Sequence, residues 1–220
     1  MPFSEASFAF FSDLSANNNR DWFNANKATF KDCIETPFID LLEALTNRLE
    51  DAPRPLMGGK KTTFRLNRDV RFSEDKSPYK TNMSGLLTPS GDKSEMAGIV
   101  YLHLEATGGF AVAGFYNLSP KQLAPMRDDM IARADAFDDV LAALAAAGRS
   151  LDQSMSLSSM PKGFTDHAAH RHADIIKLKS LMVREDLPKD LWLSGDVIDH
   201  VEALARECMP LLRFSQPARG

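Results

Sequence analysis

The sequence shows little that would indicate a disulfide scaffold, a thiol-based site or a membrane span. Its 220 residues include only two cysteines, Cys33 and Cys208, far apart and without a Cys-x-x-Cys or Cys-His spacing. We interpret both as buried free thiols, because each falls among apolar residues of a predicted helix. No apolar run approaches the roughly eighteen residues of a membrane helix, and no basic leader precedes the short apolar patch near the amino terminus. These absences predict a cytoplasmic protein with no membrane partner.

The motifs that identify common cofactor and catalytic sites are also missing. The sequence has no Walker loop, no G-x-G-x-x-G and no G-x-S-x-G, so we predict no bound cofactor. His167, His170 and His172, flanked by Asp166 and Asp174, form H-x-x-H-x-H in a polar stretch. This spacing matches no standard structural zinc site and has no accompanying cysteine. We therefore predict solvated loop histidines and no metal site.

Composition and periodicity at the start of the chain indicate an ordinary globular domain. With 44% hydrophobic and 25% charged residues, the chain is long enough for a sizeable core, and a single domain over residues 1–220 is predicted. Helical spacing predicts a helix over residues 4–15, a second helix that Asn18 caps and Pro37 interrupts, and a third from Phe38 to Glu50.

A block of alternating residues follows and predicts an antiparallel sheet. In Thr62 to Asn67, the side chains of Phe64 and Leu66 are predicted to point the same way. Thr107-Gly108-Gly109 is a hairpin signal between two of the later strands. The further predicted strands run near Thr81 to Leu87, Ala97 to Ala106, Phe110 to Asn117 and Ile175 to Arg184.

Helical spacing returns after the hairpin. Helices are predicted from Pro120 to Ala134, from Ala136 to Ala147 and from Asp196 to Arg213, with irregular structure over residues 150–172. N-terminal helices, a central antiparallel sheet and C-terminal helices together predict an α+β fold.

The charged residues are unevenly distributed. The run from Lys60 to Lys80, KKTTFRLNRDVRFSEDKSPYK, carries seven Lys or Arg and three acidic residues, whereas the whole chain has a net charge of −4. A positive segment on a negative protein attracts an anion, or else forms ion pairs that tie the fold together.

The same run carries a recognisable signature. Its eight fixed positions in fifteen residues are Arg65, Arg68, Asp69, Arg71, Phe72, Lys76, Pro78 and Tyr79. They match R-x-x-R-D-x-R-F-x-x-x-K-x-P-Y, and the chain therefore resembles a family of bacterial and fungal conserved hypothetical proteins, a domain of unknown function. Three further stretches resemble that family: Asn18 to Phe23 (N-N-x-x-W-F), the hairpin within Tyr101 to Pro120, and Pro161 to Phe164 (P-x-G-F). The resemblance implies no established activity.

The arginines of the signature are the first candidate site. Arg65, Arg68 and Arg71 can surround one anion if the chain brings them to a common side, because guanidinium groups suit carboxylate and phosphate. Lys76 adds charge, and Tyr79 would line the pocket. The alternative is an ion-pair network with Asp69 and Asp75 that holds the loop in place.

The hairpin supplies the second candidate. In Val100 to Ala106, apolar residues alternate with Tyr101, His103 and Glu105, so a β-strand places a phenol, an imidazole and a carboxylate in a row on one face. These residue types perform general acid-base catalysis, and the three are our candidate catalytic residues. The alternative is a half-exposed sheet face with incidental polar side chains.

Arg127 is the third candidate. Helical winding from Leu123 places Arg127 in the apolar stripe of its helix, and an inward guanidinium needs an anion. The related family also has an arginine after the hairpin, so we predict that Arg127 is a further wall of the same pocket. The alternative is a side chain that extends past the helix edge to solvent.

The leading hypothesis is a pocket that binds an anionic small molecule, with phosphorylated compounds among the candidates, either as an enzyme or as a binding protein. The predicted anion-binding residues are Arg65, Arg68, Arg71, Lys76, Tyr79 and Arg127. A second hypothesis is a single-stranded nucleic-acid binding module in which Phe64, Phe72 and Tyr79 stack on bases, although the acidic total charge argues against it. A third is a structural interaction protein whose signature is an internal ion-pair staple. The sequence predicts no particular oligomeric state.

Overall fold

Helices and antiparallel strands occupy largely separate stretches of the chain in the computed structural model, which describes residues 3–95 and 98–216. The helices are α1 (Glu5–Ala16), α2 (Arg20–Ala25), α3 (Lys27–Phe30), α4 (Thr36–Arg48), α5 (Pro120–Ala132), α6 (Ala134–Ala146), α7 (Ala173–Ile176), α8 (Lys189–Ser194), α9 (Val197–Glu207) and α10 (Met209–Phe214). The strands are β1 (Asn82–Leu87), β2 (Ile99–Glu105), β3 (Gly108–Phe115) and β4 (Leu181–Pro188). The predicted α+β class is confirmed. Within the described ranges, every helix is too short or too polar to cross a bilayer.

The predicted break at Pro37 is wrong. A π-helical turn, Lys31–Glu35, joins α3 to α4, so the helix continues through the proline. Pro37 has no N–H to donate to the carbonyl of Cys33, and the hydroxyl of the buried Ser7 in α1 donates to that carbonyl instead, at 2.7 Å. A tertiary contact therefore satisfies the acceptor that the proline leaves free, which sequence periodicity cannot show.

The second helix also begins at a different cap. Asn19, not Asn18, caps α2, because its Oδ1 accepts the backbone N–H of Trp22 at 2.9 Å. Asn18 turns toward the signature loop, where its amide donates to the carbonyl of Tyr79 at 2.9 Å and accepts the Tyr79 N–H at 3.1 Å.

The sheet has the order β1-β2-β3-β4, with every neighbouring pair antiparallel. The predicted hairpin is present, with Glu105 opposite Gly108 and a two-residue turn between them. Gly108 adopts φ 128°, and a Cβ there would lie 2.7 Å from the carbonyl oxygen of Leu187 on β4. Glycine is therefore required where β3 meets both β2 and β4.

One face of the sheet packs on the helices. Val100, Leu102 and Leu104 of β2 are fully buried on this face, and α4, α8, α9 and α10 pack against the strands. Period-two alternation sends Tyr101, His103 and Glu105 to the opposite face, which we call the outer face.

The first predicted strand differs from the structure. Thr62 to Asn67 is not a regular strand: a 3₁₀ turn, Lys60–Thr62, is followed only by single bridges from Thr63 to Gly85 and from Asn67 to Tyr79. The ring of Phe64 lies near Tyr101 on the outer face, whereas Leu66 belongs to the core, so the two do not point the same way.

The fourth strand begins later than predicted. Ile175 and Ile176 end the short helix α7, and the strand starts at Leu181. Residues 150–172 are irregular, as predicted, apart from a 3₁₀ turn at Thr165–His167. The predicted start of β2 at Ala97 lies outside the described residues.

Candidate functional site

Side chains from all four strands form rows across the outer face of the sheet. The pairing register places Leu86, Tyr101, Val112 and Arg184 in one row, and Ser84, His103, Phe110 and Asp186 in the next. Several of these residues are apolar although they lie on the face opposite the core. The outer face is therefore not a simple solvated surface.

A pocket of about 410 Å³ lies on this face. Its described lining residues are Phe64, Leu86, Ile99, Tyr101, Phe110, Val112, Gly114, Tyr116, Asp152, Met182 and Arg184. The guanidinium carbon of Arg184 lies 3.8 Å from the centroid of the Phe110 ring, and Arg184 pairs with Asp186 at 2.8 Å. Four aromatic and four aliphatic side chains thus make up most of this wall, which suits the flat or apolar part of a small molecule. We call this the aromatic pocket.

Tyr101, His103 and Glu105 form a hydrogen-bonded row at one end of the aromatic pocket. The Tyr101 hydroxyl lies 3.1 Å from Nδ1 of His103, and Nε2 of His103 lies 3.3 Å from Oε2 of Glu105. The Asn82 amide nitrogen, which can only donate, also lies 3.3 Å from Nδ1. With the Asn82 amide in this orientation, Nδ1 is the acceptor and the ring proton is assigned to Nε2, facing Glu105.

Burial favours the neutral forms of two groups in this row. It lowers the pKa of His103, with a smaller opposing effect from Glu105, and it raises the pKa of Tyr101 despite a hydrogen bond to Ser84. A neutral imidazole that accepts from a phenol and donates to a carboxylate can pass a proton along the row. The structure thus brings the three candidate catalytic residues together in an arrangement suited to proton transfer.

A second, polar cavity of about 380 Å³ lies beside β1. Its described lining residues are Ser15, Asn18, Arg68, Asp75, Ser77, Tyr79, Lys80, Thr81 and Asn82. The Lys80 ammonium lies 5.7 Å from the centroid of the Phe64 ring. Burial lowers the pKa of Lys80, and the positive charge of Arg65 lowers it further. We call this the cationic cavity.

The two cavities share a wall. Lys80 lines the cationic cavity and contacts Phe64, which lines the aromatic pocket. Asn82 lines the cationic cavity and contacts His103, whose ring stacks on Phe110 of the aromatic pocket at 4.6 Å between centroids. The polar lining of one cavity and the apolar lining of the other therefore lie next to each other.

Tyr79 anchors the signature loop. The loop closes where Arg68 N–H donates to the carbonyl of Pro78 and Lys80 N–H donates to that of Leu66, each at 2.9 Å. The Tyr79 ring is buried and stacks on Phe23 at 4.2 Å between centroids. Its ring face is therefore covered by the N-terminal helices and cannot stack on a nucleic-acid base.

The three signature arginines have different surroundings. Arg68 lines the cationic cavity and pairs with Asp75; hydrogen bonds from Ser77, and then from Arg68, hold the pKa of Asp75 far below its usual range. Arg71 pairs with Asp69 at 2.6 Å and is 76% exposed. Arg65 is exposed. The described residues therefore do not bring the arginines to one concavity with Tyr101, His103 and Glu105.

The tip of the signature loop extends into solvent. The ring of Phe72 is 96% exposed, and the Lys76 ammonium donates to the carbonyl of Val70 at 3.1 Å. Lys76 therefore closes its own loop, and it is not among the described residues that line the cationic cavity.

Arg127 faces inward as predicted, but at a different place. It is only 4% exposed, and its Nε and Nη2 donate to the carbonyls of Ile176 and Leu178 at 2.8 and 3.1 Å. The cavity that it lines, of about 610 Å³, shares no described residue with the aromatic pocket or the cationic cavity. The prediction that Arg127 is a wall of the same pocket is wrong, because the segment before β4 packs against its guanidinium and the cavity beside it is a separate one.

His172 also differs from its prediction as a solvated residue. It is 4% exposed, and its Nε2 lies 3.2 Å from the carbonyl of Ala134 and 3.2 Å from Oδ1 of Asp138. Among the described residues, no three His, Cys, Asp or Glu side chains are arranged to hold a metal ion.

The sequence did not indicate the aromatic pocket, apart from Tyr101. A usable signal was present: β1 and β4 carry apolar residues on both faces, with Leu86 and Met182 on the outer one, whereas a solvated sheet face is polar.

Two comparisons with known proteins bear on this chain. No curated protein matches it. The model of a family described as conserved hypothetical protein (DUF2461) matches residues 6–214, nearly the whole chain. This protein therefore belongs to the DUF2461 family of conserved hypothetical proteins.

Proposed function

We propose that this protein binds an anionic small molecule at the β1 edge of the sheet. The apolar part of the ligand occupies the aromatic pocket, and its charged group occupies the cationic cavity. The observation that carries this proposal is the shared wall, in which Lys80 lies against Phe64 and Asn82 against His103. A ligand that spans the wall combines apolar burial with charge pairing, as small-molecule sites usually do.

The charges at this edge favour an anion. Lys80 is half-buried, and the neighbouring Arg65 repels its positive charge. An anion beside Lys80 relieves both effects, because an opposite charge offsets desolvation and like-charge repulsion. Arg68 on the same cavity adds donors, although Asp75 already engages part of its guanidinium. A phosphate monoester suits this set, because it offers several strong acceptors to Lys and Arg.

The same site supports a reaction that moves a proton at the ligand. The Tyr101 hydroxyl lies on the wall of the aromatic pocket and is hydrogen-bonded to a neutral His103. Tyr101 can accept a proton from the ligand while its own phenol proton passes to Nδ1 of His103 and the Nε2 proton passes to Glu105. Tyr101, His103 and Glu105 are therefore our proposed catalytic residues.

A structural role for the signature is the second candidate, and the ion pairs favour it. Arg68 pairs with Asp75 and Arg71 with Asp69, as expected of a loop staple. A single-stranded nucleic-acid module has less support, because Tyr79 is stacked on Phe23 and Phe72 is at the loop tip. These aromatic residues do not form one stacking surface.

Isothermal titration calorimetry with phenyl phosphate and with phenol tests the proposal. We expect phenyl phosphate to bind at least about tenfold more tightly than phenol, since a charge-assisted hydrogen bond contributes about 1.5–3 kcal/mol. Lys80→Met removes the charge and keeps the aliphatic chain, and it should weaken phenyl phosphate by about tenfold or more. Lys76→Met, the matched control at the loop tip, should change affinity by less than about twofold.

Arg68→Ala separates the ligand site from the staple. The proposal expects this change to weaken phenyl phosphate binding while the melting temperature falls little, because the pair with Asp75 is partly exposed. A large loss of melting temperature with unchanged affinity would instead support the staple. A steep dependence of oligonucleotide affinity on salt, with no binding of phenyl phosphate, would support the nucleic-acid alternative.

A further inference from the structure

Arg127 is a buried cation whose neighbours are backbone carbonyls. Its Nε and Nη2 donate to the carbonyls of Ile176 and Leu178, and burial is the one cause of its lowered pKa. Arg149, also partly buried, instead pairs with Glu185 at 2.8 Å and with Glu207 at 2.7 Å. Carbonyl dipoles satisfy N–H donors but do not neutralise a charge, and buried charges are normally paired. Arg127 thus carries a charge that no carboxylate among the described residues offsets.

The cavity beside Arg127 is large enough for a small organic molecule. Its volume is about 610 Å³. Its described lining residues are Asn117, Leu118, Ser119, Pro120, Gln122, Leu123, Ala124, Arg127, Leu157, Pro161, Lys162, Phe164 and Lys179. This described lining includes three cationic residues and no Asp or Glu. The cavity therefore has a positive potential that its own walls do not cancel.

The cations are at different depths. Arg127 is buried, while Lys162 and Lys179 are exposed. The N-terminus of α5 contributes little further attraction, because Ser119 and Gln122 cap each other there, with the Gln122 N–H donating to the Ser119 hydroxyl at 3.3 Å. The attraction for an anion therefore comes from the three side chains.

The remaining wall is mainly apolar. Leu118, Leu123 and Phe164 are buried and contribute to the lining, and the Phe164 ring centroid lies 5.8 Å from the guanidinium carbon of Arg127. An alkyl or other apolar group placed here would be removed from water beside the cations.

We infer that this cavity is a second binding site, which takes an organic oxyanion with an apolar chain, such as an alkyl phosphate or a long carboxylate. The oxyanion lies among Arg127, Lys162 and Lys179, and the chain packs on Leu118, Leu123 and Phe164. The inference does not rest on the proposed function, because the lining residues of this cavity and of the site at the β1 edge are different.

Calorimetric titration with hexyl phosphate, hexanoate and 1-hexanol tests the inference. All titrations in this series, including the reference protein, use protein that carries Lys80→Met, so that the cationic cavity contributes little. A failure of binding at the Arg127 cavity is then distinguishable from a failure at the β1 edge. We expect hexyl phosphate and hexanoate to bind at least about tenfold more tightly than 1-hexanol. Equal affinity of the anions and the alcohol would overturn the inference.

Charge reversal at the two lysines of this cavity locates the binding. Lys162→Glu with Lys179→Glu should weaken hexyl phosphate by about tenfold or more. The matched control, Lys27→Glu with Lys31→Glu, carries the same charge change on residues outside this lining and should cost less than about twofold. Equal losses in the two double variants would contradict the site.

Ala124→Phe provides a test that changes no charge. Ala124 lines the cavity and is partly buried, so the larger ring occupies the space of the alkyl chain. We expect hexyl phosphate binding to fall by about tenfold while the melting transition remains cooperative. A folded Ala124→Phe variant that binds hexyl phosphate as before would place the ligand elsewhere. A substitution of Arg127 is a less specific test, because it would also remove the hydrogen bonds to the carbonyls of Ile176 and Leu178 that hold that segment in place.

Discussion

Replacing Asn82 by aspartate should raise the pKa of His103. The Asn82 amide nitrogen lies 3.3 Å from Nδ1 of His103 and can only donate, so it stabilises the neutral ring. Aspartate has nearly the same shape but places an anionic acceptor there. Nδ1 would then carry a proton, and the imidazolium form would be stabilised.

The expected size of the change in the His103 pKa follows from the surroundings of the ring. The His103 side chain is 15% exposed, so solvent screens a new charge only in part. Burial lowers its pKa now, Glu105 raises it, and Arg184 and Lys80 lower it slightly. A carboxylate in hydrogen-bonding contact raises a histidine pKa by about 1–2 units relative to the present protein, which is about 1.4–2.7 kcal/mol.

The stability of the protein should respond to pH differently in the wild type and in Asn82→Asp. In the present protein the folded-state pKa of His103 lies below the unfolded value of about 6.5. The folded state therefore loses stability as the pH falls through about 6.5 toward the folded pKa. If Asn82→Asp raises the folded pKa above the unfolded one, the added stability is present below about pH 6.5 and is lost as the pH rises through the folded pKa.

Nitrogen-15 NMR of the His103 ring across this pH range measures the pKa, and the wild-type ring should show the proton on Nε2. Thermal melting at the same pH values measures the linked stability. Asn47→Asp on α4, at an exposed position, is the control with the same charge change. If the His103 pKa in Asn82→Asp matches that in Asn47→Asp, the assigned contact with Nδ1 is wrong.

Two further predictions concern the sheet and the thiols. Gly109→Ala should lower the free energy of unfolding by about 3 kcal/mol or more in urea titrations, because its Cβ would overlap the backbone carbonyl of His103. Gly163→Ala, whose Cβ meets open space at φ 89°, should cost only about 1 kcal/mol; equal costs would contradict the packing at Gly109. Burial raises the pKa of Cys208 to about 12, so Ellman's reagent at pH 8 should label Cys33 in the folded protein and both thiols only after unfolding. Labelling of Cys208 at the rate of Cys33 would contradict its full burial.

Local pattern predicted the hairpin and its polar row well. Val100, Leu102 and Leu104 alternate with Tyr101, His103 and Glu105, and one face is buried, so the period of two fixes which side chains share a face. The inward direction of Arg127 followed in the same way from helical periodicity. These features depend only on residues near each other in sequence.

Features made by distant segments could not be predicted in this way. The partners of Arg127 are the carbonyls of Ile176 and Leu178, which lie 49 and 51 residues further along the chain. The continuation of the helix past Pro37 depends on the Ser7 hydroxyl from α1. Sequence spacing carries no information on such contacts.

The signature segment shows a second limit of prediction from sequence. Alternation at Phe64 and Leu66 resembled a strand, but this segment follows the free edge of β1 through isolated bridges only. Without a regular ladder, the period of two does not hold, and the two side chains lie on different sides. For the same reason, the even separation of Arg65 and Arg71 does not place them on one face of a strand.

The most direct test of the central claim is a crystal structure of the protein with phenyl phosphate bound. We expect the phosphate in the cationic cavity, in contact with Lys80 and Arg68, and the phenyl ring across the shared wall against Phe64 and Tyr101. Phenyl phosphate bound only at the Arg127 cavity, or absent from a crystal in which the cationic cavity is open to solvent, would contradict the proposed binding of an anionic small molecule at the β1 edge.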